Sequence, residues 1–224
     1  MRREYAIIVA GGKGTRMGGT MPKQFIEING RPMVFHTIDQ FGRYSDELQV
    51  ILGLPGDDIP TWENLCDKHD YKPRLTIVKG GKTRFQTVRN CLSTINDTGL
   101  VAIHDGVRPL VEVETIAASF DLAAIHGTAV AAVRLKESLR KNTRDGTAAV
   151  DRSLYRSIQT PQTFDLDLIR KAYTTEELEW MTDDASVAEH AGHSISLFEG
   201  SYENLKITTA SDLVLAEAIL KNRS

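Results

Sequence analysis

YAIIVAGGKGTRMGGTMPKQF, residues 5–25, decides how this chain is read. Residues 5–9 form a short apolar run that stops at glycine, the pattern of a strand buried on both faces. The turn that follows combines Gly11, Gly12 and Gly14 with the cations Lys13, Arg16 and Lys23. Glycines let backbone N–H groups approach an anion closely, and nearby cations offset its charge. The stretch therefore raises the hypothesis of a nucleotide triphosphate held at the first strand–loop junction. Two other phosphate motifs do not fit. The P-loop spacing G-x-x-x-x-G-K-[ST] is absent, and G-x-G-x-x-G begins at Gly12 and Gly14 but meets Met17 at its third glycine. Asp39 stands near the distance wanted for the acidic partner of that fingerprint, but it falls in a helical pattern. The plain alternative is a turn with solvated charges.

Working outward, apolar runs and helical periodicities alternate. After the glycine turn, Arg31-Pro32 opens a helix through Phe41, with Met33, Val34, Ile38 and Phe41 on one stripe. Strands are expected at 48–54, 74–78, 100–104 and 128–133, and helices at 62–69, 113–125 and wherever Phe85, Val88, Leu92 and Ile95 repeat. This order predicts an α/β fold, Rossmann-like, with a mostly parallel sheet and helices on both faces. The pattern then breaks. Residues 136–152 are polar and basic, with Asp145-Gly146 as a turn signal, and read as a projecting β-hairpin arm or a plain surface hairpin. Helices are expected at 165–173 and 183–190, with Thr182 as N-cap, then a strand at 194–198. An amphipathic helix at 209–220 closes the chain, with Thr209 and Asp212 at capping-box spacing.

A chain of 224 residues fits a single α/β domain spanning 1–224, with the arm at about 136–152. Its 27 basic and 30 acidic side chains give a net charge of −3, which argues against a general nucleic-acid binder. Cys66 and Cys91 are too few for a disulfide framework and fit a reducing compartment. The N-terminus reads as entering the first strand at once, so no signal or transit peptide is expected, and no apolar stretch approaches a membrane span. The cytoplasm is the expected location.

In an open α/β sheet, ligands sit beyond the carboxyl ends of the strands. Three loops stand out there: the first glycine turn, Gly80-Gly81-Lys82-Thr83-Arg84, and His104-Asp105-Gly106-Val107-Arg108-Pro109. Asp105 directly follows an apolar strand, where a carboxylate holds Mg²⁺ with phosphates and water completing its shell, or else caps a turn. His190 and His193 are spaced like a metal pair, but Gly192 between them reads as a helix end. His104 reads as a packed, hydrogen-bonded histidine, and Asp183-Asp184 as a solvated first helical turn.

AGGKGTRMG, MPKQF, GGKTRFQTV, HDGVRP, VDRSLYRSIQTPQTF, TDDASVAEHAG and NLKITTASDLVLAE occur in that order through the chain. In them it resembles the 2-C-methyl-D-erythritol 4-phosphate cytidylyltransferase family, and it is similar to the related ribitol-5-phosphate cytidylyltransferases. The resemblance implies transfer of the cytidylyl group of CTP to a sugar-alcohol phosphate, in non-mevalonate isoprenoid precursor biosynthesis. It implies that Arg16 and Lys23, with Lys206, act on the reacting phosphates. Ala10, Gly11, Gly12, Gly81, Lys82, Thr87, Asp105 and Gly106 stand where the family holds CTP. Asp105 matches the ligand of Mg²⁺ or another divalent cation. Ser138, Arg152 and Lys206 match positions that receive the sugar phosphate, with Arg108 assisting. The arm would clasp a second subunit, making a homodimer in which Ser138 and Arg152 act across the interface. Val9 and Gly11 stand where proline and alanine are common in the methylerythritol enzymes, which brings this loop nearer the ribitol enzymes. Glu137-Ser138 replaces the usual Asp-Thr, and Arg152 in VDRSLYRSIQTPQ favours the methylerythritol enzymes. A catalytically inactive nucleotide-binding module is the alternative from another class, and a nicotinamide-dependent oxidoreductase is weakened by the failed fingerprint.

Overall fold

A computed structural model gives the fold, described for residues 2–11 and 21–223. Gly12, Lys13, Gly14 and Arg16 lie outside the described residues. In chain order the strands and helices are β1 (Arg3–Val9), β2 (Glu27–Ile28), β3 (Arg31–Pro32), α1 (Met33–Tyr44), β4 (Gln49–Leu54), α2 (Ile59–Lys68), β5 (Leu75–Lys79), α3 (Arg84–Leu92), β6 (Gly99–Asp105), α4 (Val113–His126), β7 (Thr128–Arg134), β8 (Leu139–Thr143), β9 (Gly146–Val150), β10 (Arg156–Asp165), α5 (Leu166–Ala172), α6 (Asp184–His190), β11 (Leu197–Glu199) and α7 (Ala210–Arg223).

Seven strands make one sheet in the order β11-β7-β10-β6-β1-β4-β5. β1 pairs in parallel with β4 and with β6, and β4 with β5. The apolar run of β1 is buried because strands flank it and helices cover both faces. On one face Val34 and Phe35 of α1, Trp62 of α2 and Phe120 of α4 pack on Ala6, Ile8 and Leu52. On the other, Phe85 and Val88 of α3, Ile169 of α5 and Val187 of α6 pack on Ile7, Val101 and Phe164. Ring contacts tie α1 to the end of α2: Phe35 stacks on Tyr71 at 4.0 Å between centroids and meets Trp62 edge-on at 5.2 Å.

One strand contradicts the expected reading. β10, with the sequence RSIQTPQTFD, was not anticipated, because its centre is polar. It lies between β6 and β7 and runs antiparallel to both. Its register shifts between Ile158 and Gln162, and Pro161 sits within that irregularity, where no ladder N–H is required of it. The polar side chains are buried and used: the Thr160 hydroxyl accepts from the Asp105 N–H at 3.1 Å, and Gln162 bonds Asp183.

Smaller corrections have local causes. Asp183, not Thr182, caps α6, accepting from Ser186 N–H at 2.9 Å while Ser186 Oγ accepts from Asp183 N–H. The arm is the antiparallel pair β8–β9, closed by Arg144-Asp145, with Gly146 at φ +138° paired to Thr143. The last strand starts later than expected and spans Leu197–Glu199 rather than 194–198. Thr209 and Asp212 do exchange hydrogen bonds at the start of α7, at 2.8 and 3.3 Å.

Parallel register brings the carboxyl ends of the central strands to one edge: Val9 lies opposite Gly53 and Asp105, and Gly53 opposite Val78. A third cluster (Ile28, Met33, Val107, Leu110, Ile207 and Ala216) anchors the C-terminal segment there. The Ile207 N–H donates to Val107 O at 2.9 Å, and Arg223 holds the end of α7 to Leu110 O, Glu112 and Glu203. Lys206 thereby reaches a site formed much earlier in the chain.

Candidate active site

The site begins with backbone. The Ala10 N–H donates to Gly53 O at 3.0 Å and the Gly106 N–H to Val9 O at 2.9 Å, stitching the loops after β1, β4 and β6. A Cβ on Gly106 would stand 3.1 Å from that of Ala10, so the close approach of these loops favours glycine. The turn after β5 is held by side chains. Thr83 caps α3 through the Gln86 N–H, the Lys82 N–H donates to Gln86 Oε1, and the Gly81 N–H donates to Thr87 Oγ1 at 3.1 Å. Thr87 is buried and donates its own proton to Thr83 O at 2.9 Å. Its hydroxyl is thus engaged in shaping the glycine turn. Gly81 is sterically compelled, since a Cβ there would lie 2.2 Å from Gln86 Cβ.

Asp105, the last residue of β6, is the centre of charge. It is 7% exposed, with Lys206 Nζ 2.9 Å from Oδ2, Arg84 Nε 3.3 Å from Oδ1 and Arg108 Nε 3.6 Å from Oδ2. Burial alone would raise this carboxyl, but Arg84, Lys206 and Arg108 drive it far below the usual carboxylate range, so it is ionised at any working pH. Arg108 is fixed in turn by donating to Asn204 O at 2.7 Å, and Asn204 donates to Thr160 O at 2.7 Å. The neighbouring His104 is wholly buried, shares a hydrogen bond with Arg108 O, and is pushed by burial down to about 3, so it stays neutral and packed.

Two small cavities flank Asp105. One, of about 140 Å³, is lined by Ala10, Gly11, Lys23, Arg84, Asp105 and Lys206 among others. The other, of about 260 Å³, meets Arg84, Asp105, Arg108, Thr160, Thr182 and Lys206. Larger hollows, such as one of about 630 Å³ beside Tyr5, Gln49 and Leu75, open at the amino ends of the strands. They lack any comparable convergence of buried charge, and ligands of open α/β sheets bind at the opposite ends.

Of the sequence-derived candidates, the fold gathers Ala10, Gly11, Lys23, Asp105, Gly106, Arg108 and Lys206 at this edge, with Gly81, Lys82 and Thr87 in the adjoining turn. Ser138 and Arg152 are exposed at the base of the arm and line neither cavity of their own chain. Arg152 donates to Lys136 O, and Lys136 Nζ lies 3.7 Å over the Tyr202 ring. Gly12 and Arg16 lie outside the described residues.

Two residues of the site were given no role by sequence reading. Arg84, named only as the end of the second glycine loop, bridges Asp105 and Asp184. Asp184, expected to be solvated, is wholly buried and receives both Arg84 Nη atoms and the Tyr173 hydroxyl. The only signals were the position of Arg84 directly after a glycine turn and the acidic doublet itself.

A family model for 2-C-methyl-D-erythritol 4-phosphate cytidylyltransferase matches residues 5–222. The chain is 47% identical over 220 residues to the enzyme of that name from Porphyromonas gingivalis, covering 98% of each chain. It is 44% identical over 215 residues to that from Bacteroides fragilis, covering 96% of this chain and 98% of the relative. Among solved structures, 4-diphosphocytidyl-2C-methyl-D-erythritol synthase from Anaerococcus prevotii superposes with a TM-score of 0.83 at 28% identity, covering 98% and 96% of the two chains. The Thermus thermophilus cytidylyltransferase gives 0.79 at 28% identity, covering 99% and 100%. With a glycine-lined edge, a buried ionised aspartate and a likeness in sequence and fold that runs over nearly the full length, the chain belongs to the 2-C-methyl-D-erythritol 4-phosphate cytidylyltransferase family.

Proposed function

We propose that the chain transfers the cytidylyl group of CTP to 2-C-methyl-D-erythritol 4-phosphate, giving the CDP-linked product and pyrophosphate in the non-mevalonate route to isoprenoid precursors. The observation that carries this reading is the buried Asp105 carboxylate, ringed by Arg84, Arg108 and Lys206 beside the glycine turns of a chain matched over residues 5–222 by the family. An oxygen of the acceptor phosphate attacks the α-phosphorus of CTP. The bond from that phosphorus to the oxygen bridging the β-phosphate breaks, and pyrophosphate leaves with the electron pair. A phosphate monoester has a second pKa of about 6, so the nucleophile is already largely ionised and needs no general base. The task left to the protein is to hold two anions together in line. Lys23 and Lys206 supply positive charge at the cavity beside Ala10 and Gly11, and Arg16 is assigned to the same task by family position. Gly12, Gly81, Lys82, Thr87 and Gly106 are assigned to the nucleotide on the same basis.

Asp105 suits a divalent ion. It is one ionised carboxylate at a strand end, and Mg²⁺ commonly takes only one or two, with substrate phosphates and water as the remaining ligands. Among the described residues no group of three or more His, Cys, Asp or Glu side chains could hold a metal, so the phosphates would have to complete the shell. Asp105 would hold such an ion, whose charge would offset that of the triphosphate, and Lys206, now 2.9 Å from Oδ2, would be released toward the phosphates.

Ser138 and Arg152, exposed on the arm, fit the acceptor pocket of a second subunit, and with Arg108 and Lys206 they would receive the sugar phosphate. The reading thus includes a homodimer, a single nucleotidyltransferase domain and a cytoplasmic setting, where the free thiols Cys66 and Cys91 remain reduced. No helix among the described residues is long and apolar enough to cross a membrane. The test is CTP-dependent pyrophosphate release with methylerythritol phosphate and ribitol 5-phosphate in separate reactions. We expect kcat/KM to favour methylerythritol phosphate by about 100-fold or more. A preference for ribitol phosphate would reverse the acceptor, and tight CTP binding without turnover would leave only a nucleotide-binding module.

A further inference from the structure

We propose that Asp184 is a positioning residue for this reaction, acting through Arg84 to fix the carboxylate of Asp105. Asp184 is wholly buried and, unlike Arg84, lines neither cavity around Asp105. Both of its oxygens are committed: Arg84 Nη1 donates to Oδ1 at 2.9 Å and Nη2 to Oδ2 at 2.6 Å, while the Tyr173 hydroxyl donates to Oδ1 at 2.6 Å. A guanidinium is planar, so gripping its two Nη atoms sets the direction of the third donor. That donor, Nε, meets Asp105 Oδ1 at 3.3 Å. One cation therefore spans a buried carboxylate that faces no ligand space and another that lines it.

The grip is itself anchored. The first turn of α6 is fastened to β10 because Gln162 donates to Asp183 Oδ2 at 2.9 Å and accepts the Ala185 N–H at 2.8 Å. Fold stability alone gives a weak reason for this arrangement, since apolar groups of similar volume often replace buried ion pairs without loss. Orientation gives a stronger one. With Oδ1 held by a rigid fork, only the Oδ2 side of Asp105, shared by Lys206 and Arg108, is left to respond to a ligand. Outer partners that orient a liganding carboxylate typically change metal affinity or activity by about 10–100-fold when removed.

The proposal rests on Asp105 serving the metal–nucleotide complex, and the experiment separates the two. Mn²⁺ binding in the presence of CTP is followed by electron paramagnetic resonance in the full-length parent, Asp184→Asn, Tyr173→Phe and Asp105→Asn proteins, alongside kcat and KM. We expect Asp184→Asn to weaken Mn²⁺ binding and lower kcat by about 10–100-fold while the KM for the sugar phosphate stays near the parent value. Tyr173→Phe should move both in the same direction by less. Parent-like Mn²⁺ binding in a folded Asp184→Asn protein would overturn the proposal. If that variant does not fold, parent-like Mn²⁺ binding and kcat in Tyr173→Phe would overturn it equally. Parent-like Mn²⁺ binding in Asp105→Asn would instead remove the reading on which the proposal stands.

Discussion

Replacing Asp105 by asparagine keeps the shape of the side chain and removes its charge. Three cations then lose a partner they now meet at 2.9, 3.3 and 3.6 Å. Breaking a buried ion pair from one side costs about 3–5 kcal/mol, because it leaves the other charge uncompensated. Two of the three can adjust here. Arg84 keeps Asp184, and the Lys206 side chain is 44% exposed and can turn to water. Arg108 cannot turn to water, since its side chain is 9% exposed; among the described residues it keeps its hydrogen bond to Asn204 O at 2.7 Å. The loss should therefore sit at the lower end, about 3 kcal/mol. At about 2–4 °C per kcal/mol for a chain of this size, Tm should fall by about 6–12 °C. Turnover should fall by about 100-fold or more, as expected when a group acting on developing charge is removed. Scanning calorimetry and pyrophosphate release on the same preparation give both numbers. A variant that melts within about 2 °C of the parent and turns over normally would refute the idea that Asp105 organises the charge of this site.

Other perturbations probe separate parts of the site. Gly81→Ala puts a Cβ 2.2 Å from Gln86 Cβ, so it should destabilise by about 1–3 kcal/mol in denaturant melts and raise the KM for CTP by disturbing the turn that Thr87 holds. Burial holds His104 down to about 3 from an ordinary 6.5, so the unfolded chain takes up a proton that the folded chain refuses, and stability must fall as pH drops below about 6.5. The slope from this one group is about 1.4 kcal/mol per pH unit, and denaturant melts between pH 5 and 6.5 should show it flattened in His104→Gln, with burial of His36 adding a smaller share in both proteins. Arg152→Ala should raise the KM for the sugar phosphate and leave that for CTP unmoved, whereas equal changes in both would detach the arm from acceptor recognition.

How much of this was legible in the sequence depended on whether burial and polarity agreed. β1, β6 and β7 are apolar runs bounded by glycine or charge, and their alternation with helical periodicity revealed the parallel sheet. Asp105 was visible because a carboxylate directly after such a run has few structural reasons to be there. β10 was not visible, because Gln159, Thr160, Gln162 and Thr163 are buried by hydrogen bonding rather than by apolarity, and no local period records a bond from Asp105 N–H to Thr160. Asp184 was misread for the same reason. An acidic residue in the first turn of a helix is ordinarily solvated, and only the fold brings Arg84 across to neutralise it. Lys206 could be named from family likeness, but its 2.9 Å contact with Asp105 exists because the Ile207–Val107 backbone bond folds the C-terminal segment over the sheet edge.

The central claim is that an oxygen of the acceptor phosphate becomes bonded to the α-phosphorus supplied by CTP, with pyrophosphate leaving, at the edge organised by Asp105. It is tested most directly with methylerythritol phosphate carrying ¹⁸O in its phosphate, followed by ³¹P NMR and mass analysis of the products. We expect one labelled oxygen in the new diphosphate bridge, unlabelled pyrophosphate, and formation of both products slowed by about 100-fold or more in Asp105→Asn. Label in the pyrophosphate, or release of CMP and pyrophosphate with no acceptor adduct, would contradict the claim.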